Sequence, residues 1–226
     1  MNAGYERWPE DPSEGLWIKV RDSNWTNSPV KVADFVPGTY DSYARIFHPL
    51  DVVGRGTLRW SEVAAIEGTS IHPRIQLPEL LRIDNSDVKS IRAKGVEGPY
   101  QRLPDGEWDV LGRILRRHTA SRSFMIGVWE GSGVLPEAHK YQTPLELPHR
   151  RYFLVELTFD RWSTNSIIGR YPANLFWPKD RSWFVNVDID AISTYVGGTA
   201  DMIAEILECP DLETAEADLE DEVGLF

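Results

Sequence analysis

Asp188 and Asp190 stand two residues apart in a stretch that alternates apolar and polar side chains. On an extended chain that spacing sends both carboxylates to one side, with Cα atoms about 6.6 to 7 Å apart. Such a pair suits a divalent cation, because a Mg2+ site needs only one or two carboxylates completed by phosphate oxygens. Arg181, just upstream, is the matching anion clamp for a metal-dependent hydrolase of phosphate esters. Glu156 and Asp160 occupy the same phase of a second alternating stretch. If the two stretches pair, four acids form one outward row whose mutual repulsion needs an arginine or a cationic partner. The ordinary alternative is the solvated outer face of an antiparallel sheet.

Aromatic residues offer a different chemistry. The connection from Arg161 to Asp180 carries Trp162, Tyr171, Phe176 and Trp177, and the one from Gly131 to Arg150 carries His139, Tyr141, His149 and Arg150. Connections of this length without periodicity are uncommon unless they are functional or disordered. Trp162 and Trp177 could line a cleft for a carbohydrate or other small ligand. Asp180 is placed to bond the backbone two or three residues on, and Arg181 to pair with the acids. The candidate binding residues are therefore Glu156, Asp160, Trp162, Trp177, Asp180, Arg181, Asp188 and Asp190.

Other motifs carry less. His48, His72, His118, His139 and His149 lack the paired helical spacing of zinc sites. Tyr195 to Thr199 reads as a strand-to-helix turn capped by Thr199 and not as a phosphate loop, since no Lys follows and Asp201 opposes an anion. Cys209 is a lone buried filler. No cofactor and no metal ligand set is expected.

The elements that position these groups follow from periodicity. Ser123 to Glu130, Arg151 to Asp160 and Arg181 to Asp190 read as strands, with inward rows Phe124, Ile126, Val128; Phe153, Val155, Leu157, Phe159; and Trp183, Val185, Val187, Ile189. Earlier strands are expected at Leu16 to Arg21 and Ser42 to His48. Asp105 caps a helix to about His118, in which Trp108, Leu111 and Leu115 share a face and Arg116, Arg117 and His118 complement the dipole. Further helices are expected at Glu62 to Glu67, at Pro78 to Leu81 and at Ala200 to Glu208, the last stopped by Pro210. These elements predict an α+β fold, a mainly antiparallel sheet with helices packed on one face. Residues 1–14 read as a flexible arm, 15–210 as a single domain with a loop-like subdomain boundary at 84–104, and 211–226 as an acidic tail.

Composition narrows the function. The chain has 226 residues with a net charge of -11, which opposes nucleic acid and anionic membranes and favours a basic partner. Nine tryptophans are many for this length and suggest an interface. One cysteine, no apolar leader and no run of apolar residues long enough to span a bilayer predict a cytoplasmic protein.

The segment Trp177-Pro178-Lys179-Asp180-Arg181-Ser182-Trp183, followed by Asp188, Asp190 and Ser193-Thr194-Tyr195-Val196-Gly197-Gly198, resembles a C-terminal signature of actinobacterial proteins without an assigned function. Arg117-His118-Thr119 leading to Phe124, Val128-Trp129-Glu130-Gly131, and Tyr43-Ala44-Arg45-Ile46-Phe47-His48-Pro49 resemble the same group. The resemblance spans most of residues 40 to 210 and implies no activity or catalytic residue. The expected function is a non-enzymatic binding protein of the inhibitor or immunity kind, holding a basic protein through an acidic sheet face and aromatic loops. The phosphate-ester hydrolase and the Trp-lined ligand cleft are the alternatives.

Overall fold

The computed structural model describes residues 6–23, 29–84, 87–99, 102–133, 135, 137–162 and 173–225. Along the chain these form β1 (Glu6–Arg7), β2 (Ser42–Phe47), β3 (Leu50–Val52), β4 (Gly56–Leu58), α1 (Trp60–Glu67), α2 (Leu77–Leu81), α3 (Val88–Ala93), β5 (Val96–Pro99) and α4 (Asp105–Arg117). There follow β6 (Ser123–Trp129), β7 (Leu145–Leu147), β8 (Arg150–Thr158), β9 (Ala173–Pro178), β10 (Trp183–Asn186), β11 (Ser193–Gly198), α5 (Ala200–Leu207) and β12 (Thr214–Ala217).

The main sheet runs β1-β8-β6-β9-β10-β11-β2-β12, with β7 also on β8, and its pairs are antiparallel. A small antiparallel sheet, β4-β3-β5, stands apart from it. The fold is thus α+β on a mainly antiparallel sheet, as the alternating stretches predict. The inward rows of β6, β8 and β10 meet α4 and α5 in one core, where Phe124, Ile126, Val155, Leu157, Trp183 and Val185 lie under Trp108, Leu111, Leu115, Met202 and Ile206. α1, α2 and α3 instead gather with the small sheet around Leu50, Trp60, Leu80 and Ile91.

The opposite face of the sheet is not solvated, and this corrects the expectation of an outer polar surface. Met125, Tyr152, Leu154, Leu175, Trp177, Phe184 and Tyr195 form a second core there, covered by Ile18, Val30, Val32, Phe35, Val36 and Val223. The covering chain is irregular, so its apolar residues carry no period. Leu16 to Arg21, expected as a strand, belongs to this cover; a short 3-10 turn at Ser13–Gly15 precedes it.

β9 sits between β6 and β10, inside the stretch expected to be a long loop. All six of its residues are buried, and a strand covered on both faces shows no alternation. The same stretch's Tyr171 lies outside the described residues. The segment 84–104, expected as a loop, holds α3 and β5. The expected acidic tail holds the edge strand β12 and then bridges Lys31 to Glu222 and Ala191 to Leu225. In the expected N-terminal arm, residues 1–5 lie outside the described ones and β1 pairs with β8.

Helix termini draw on both local and distant partners. Thr199 caps α5 by accepting from the Met202 N–H at 3.3 Å, and Gly68 ends α1 at φ +69°, where glycine is unstrained. At the start of α1 a distant acid joins a local one: Glu62 accepts from the Arg59 N–H at 2.8 Å, and Glu213 accepts from the N–H groups of Trp60 and Ser61 at 2.6 and 2.7 Å. Among the described residues no helix is long and apolar enough to cross a membrane.

Candidate ligand cleft

The four acids expected to share an outward row are separated and mostly turned in. Glu156 is 4% exposed and accepts from Arg7 Nε at 2.7 Å, Ser123 Oγ at 2.8 Å and Lys179 Nζ at 2.8 Å. Burial opposes its charge, but the bonds from Lys179, Ser123 and Arg7 prevail and hold its pKa below the ordinary value. Asp188 is 2% exposed, past the end of β10, and accepts from Arg150 Nη2 at 2.9 Å and the Asp190 N–H at 2.9 Å. Burial pushes its pKa up, against the pull of Arg150. Asp190, half exposed, takes the same Arg150 nitrogen at 2.6 Å. Glu156 and Arg150 lie six residues apart on β8, which separates the two clusters by about 20 Å along the strand.

The acidic docking row is therefore corrected, and so is the reading of Asp188 and Asp190 as a free pair of metal ligands. Among the described residues no group of three or more His, Cys, Asp or Glu could hold a metal ion. Among the described residues Arg181 makes no ion pair with either cluster; it adopts φ +57° and lies over the Trp17 ring at 5.3 Å. Asp180 fastens two turns, accepting from Thr119 Oγ1 at 2.7 Å, the Ala120 N–H at 2.8 Å and Ser182 Oγ at 2.8 Å. Trp177, on β9, is buried in the second core beside Phe184 and Trp17. A ligand cannot reach it.

Trp162 and Asp160 have a different fate. After β8 the chain makes a 3-10 turn at Phe159–Arg161 and lays Trp162 on α4. The Trp162 and Trp108 rings stack at 4.8 Å, tilted by 6°. Each indole donates to the other residue's carbonyl, Trp108 Nε1 to Trp162 O at 3.3 Å and Trp162 Nε1 to Trp108 O at 3.1 Å. Gly112 makes the approach possible, since a Cβ there would fall 1.9 Å from Trp162 Nε1.

This docking leaves a cleft of ≈ 400 Å³ between α4 and the turn. That volume lies within the range of small-ligand sites, about 300 to 1,000 Å³. Phe159 and Trp162 form its apolar part, Arg113, Arg116 and Arg117 its basic part, and Asp109 and Asp160 its acidic part. Arg116 is pinned, with its guanidinium 4.8 Å from the Phe159 ring and Nη1 donating to Ser121 O at 3.0 Å. Arg117 pairs with Glu205, which also meets His118 Nε2 at 2.6 Å. Those bonds, Arg117 first and His118 second, hold the Glu205 pKa below its ordinary value. Arg113 is exposed and borders a second hollow of ≈ 350 Å³ on the other side of α4.

Of the eight sequence-derived candidates the cleft unites only Asp160 and Trp162. It adds the arginines of α4, whose spacing of three and four residues places them on one helical face opposite Trp108, Leu111 and Leu115. That spacing is readable in the sequence, but complementing the helix dipole accounts for it equally well. Comparison of the chain with protein-family models, with curated proteins and with solved structures finds no match.

Proposed function

We propose that this chain is a small-ligand binding protein that uses the cleft beside α4. The observation that carries the reading is the meeting of an apolar floor, Phe159 and Trp162, with charged groups of both signs in a hollow of ≈ 400 Å³. An apolar surface supplies affinity there, and a few polar groups fix orientation. The Trp108–Trp162 clamp makes the floor rigid before a ligand arrives, which lowers the cost of ordering it. A reducing, cytoplasmic setting accords with the single Cys209.

A second reading, capture of a basic protein in the manner of an inhibitor, is favoured by the net charge of -11. It would have to use carboxylates other than Glu156 and Asp188, whose charges face Arg7, Lys179 and Arg150.

Amide NMR spectra recorded against a library of small polar and aromatic compounds test the cleft reading. Binders should shift residues 109–117 and 158–162 together. Binders that cluster elsewhere, or a library that leaves these residues unmoved, would reject it.

A further inference from the structure

We infer that the cleft selects a hydroxylated small molecule bearing one oxyanion, a sugar phosphate or a sugar acid; this rests on the cleft being a ligand site. Three features of the lining converge on that class.

The first is the pair Arg113 and Arg116, one turn apart on the exposed face of α4. Arg116 is held by Phe159 and by Ser121 O, so its planar fork is fixed before binding. A guanidinium fixed this way loses little freedom when it takes a phosphate or carboxylate. Arg117 contributes less, because Glu205 already holds it.

The second is the pair Asp109 and Asp160, which line the same hollow. Carboxylates accept hydrogen bonds and repel anions, so they suit hydroxyl groups and disfavour a ligand with charge spread along its length. They argue against a polyphosphate and against a nucleic acid strand, whose repeated charges would face both acids and a chain of net charge -11. The third is the apolar lining, the partly exposed Phe159 beside the 6% exposed Trp162, against which the C–H face of a sugar ring can lie.

Isothermal titration calorimetry with glucose 6-phosphate, glucuronate and glucose tests the inference on the full chain. The phosphate, the acid or both should bind, and the neutral sugar should bind at least ~10-fold more weakly, the scale of a lost charge-assisted hydrogen bond. Which of the two anions binds more tightly distinguishes phosphate from carboxylate. Arg113→Gln should weaken the anion by about 10-fold or more and leave the neutral sugar unchanged, while Arg113→Lys should recover part of the loss. Arg113 is exposed, so the variant should unfold at the parent's temperature. Equal binding of glucose and its anions, or no effect of Arg113→Gln, overturns the inference and leaves the cleft reading standing. If none of the three binds, the inference falls, and the NMR library decides separately whether the cleft takes any ligand.

Discussion

Trp108 and Trp162 exchange hydrogen bonds: each indole N–H reaches the other residue's main-chain carbonyl while the two rings stack at 4.8 Å. Trp108 belongs to α4 and Trp162 to the turn after β8, so this pair joins helix to sheet and sets the floor of the cleft. The Trp108 carbonyl can accept a second donor because a carbonyl oxygen has two lone pairs.

Gly112→Ala tests the clamp. Alanine favours a helix over glycine by about 1 kcal/mol. Its Cβ would lie 1.9 Å from Trp162 Nε1, so the indole must leave its place. Overpacking costs about 1 to 3 kcal/mol and each lost indole bond about 1 more, so the loss prevails. Urea unfolding should show a net destabilisation of about 2 kcal/mol, with ligand affinity reduced as well. A stabilised variant would mean that Trp162 is not held against Gly112 of α4.

The Glu156 cluster predicts a pH dependence. Its folded pKa lies below the ordinary value, so its contribution is present above the unfolded pKa and fades as pH falls through the folded one. Glu156→Gln should lower stability at pH 7 by about 1 to 2 kcal/mol, since Arg7 and Lys179 keep partial access to water. It should also flatten the loss of stability below about pH 4.3. Asp188 has the opposite sign. Its raised pKa favours the fold at low pH, and that favour disappears as pH rises through the folded value. Asp188→Asn should therefore remove a fall in stability with rising pH, measured by chemical denaturation from about pH 4 upward.

Breaking the Arg150 cluster from the cationic side should be worse. Arg150→Met leaves Asp188 buried without its guanidinium and should cost about 3 to 5 kcal/mol in thermal or urea unfolding. Asp188→Asn in the same background should restore part of that loss. If the double variant is no better than the single one, the two groups are not coupled.

Glu213 offers a local test, as it caps α1 across the chain. Glu213→Ala should cost about 1 kcal/mol, typical of a lost N-cap. Faster hydrogen exchange should appear at Trp60 and Ser61 first. Glu220, held by Arg21 and then by Lys31, should titrate at about 2 by carboxyl NMR. As the pair is exposed, 1 M salt should raise that value.

The sheet was readable where one face of a strand met the helices. The β6 row Phe124, Ile126 and Val128 and the β8 residues Val155 and Leu157 are buried in the first core as read, while Phe159, expected to continue the row, lies in the turn after β8 and is only partly buried. β9 was hidden because Ala173 to Pro178 is covered on both sides, which erases the period. The acids misled for a related reason: alternation says that Glu156 and Asp188 face away from the first core, and it cannot say that a second core lies beyond them. Their partners Arg7, Arg150 and Lys179 come from distant points of the chain or from a neighbouring strand. The cleft was half visible. Trp162 and Asp160 stood out by type, while the arginines of α4 became relevant only once Gly112 let the turn settle against the helix.

Crystals of the full chain soaked with small hydroxylated and aromatic compounds give the most direct test of the central claim. Bound compounds should appear between α4 and the Phe159–Trp162 turn, touching Arg113 or Arg116. Compounds that bind repeatedly at other surfaces while this cleft stays empty would contradict the account.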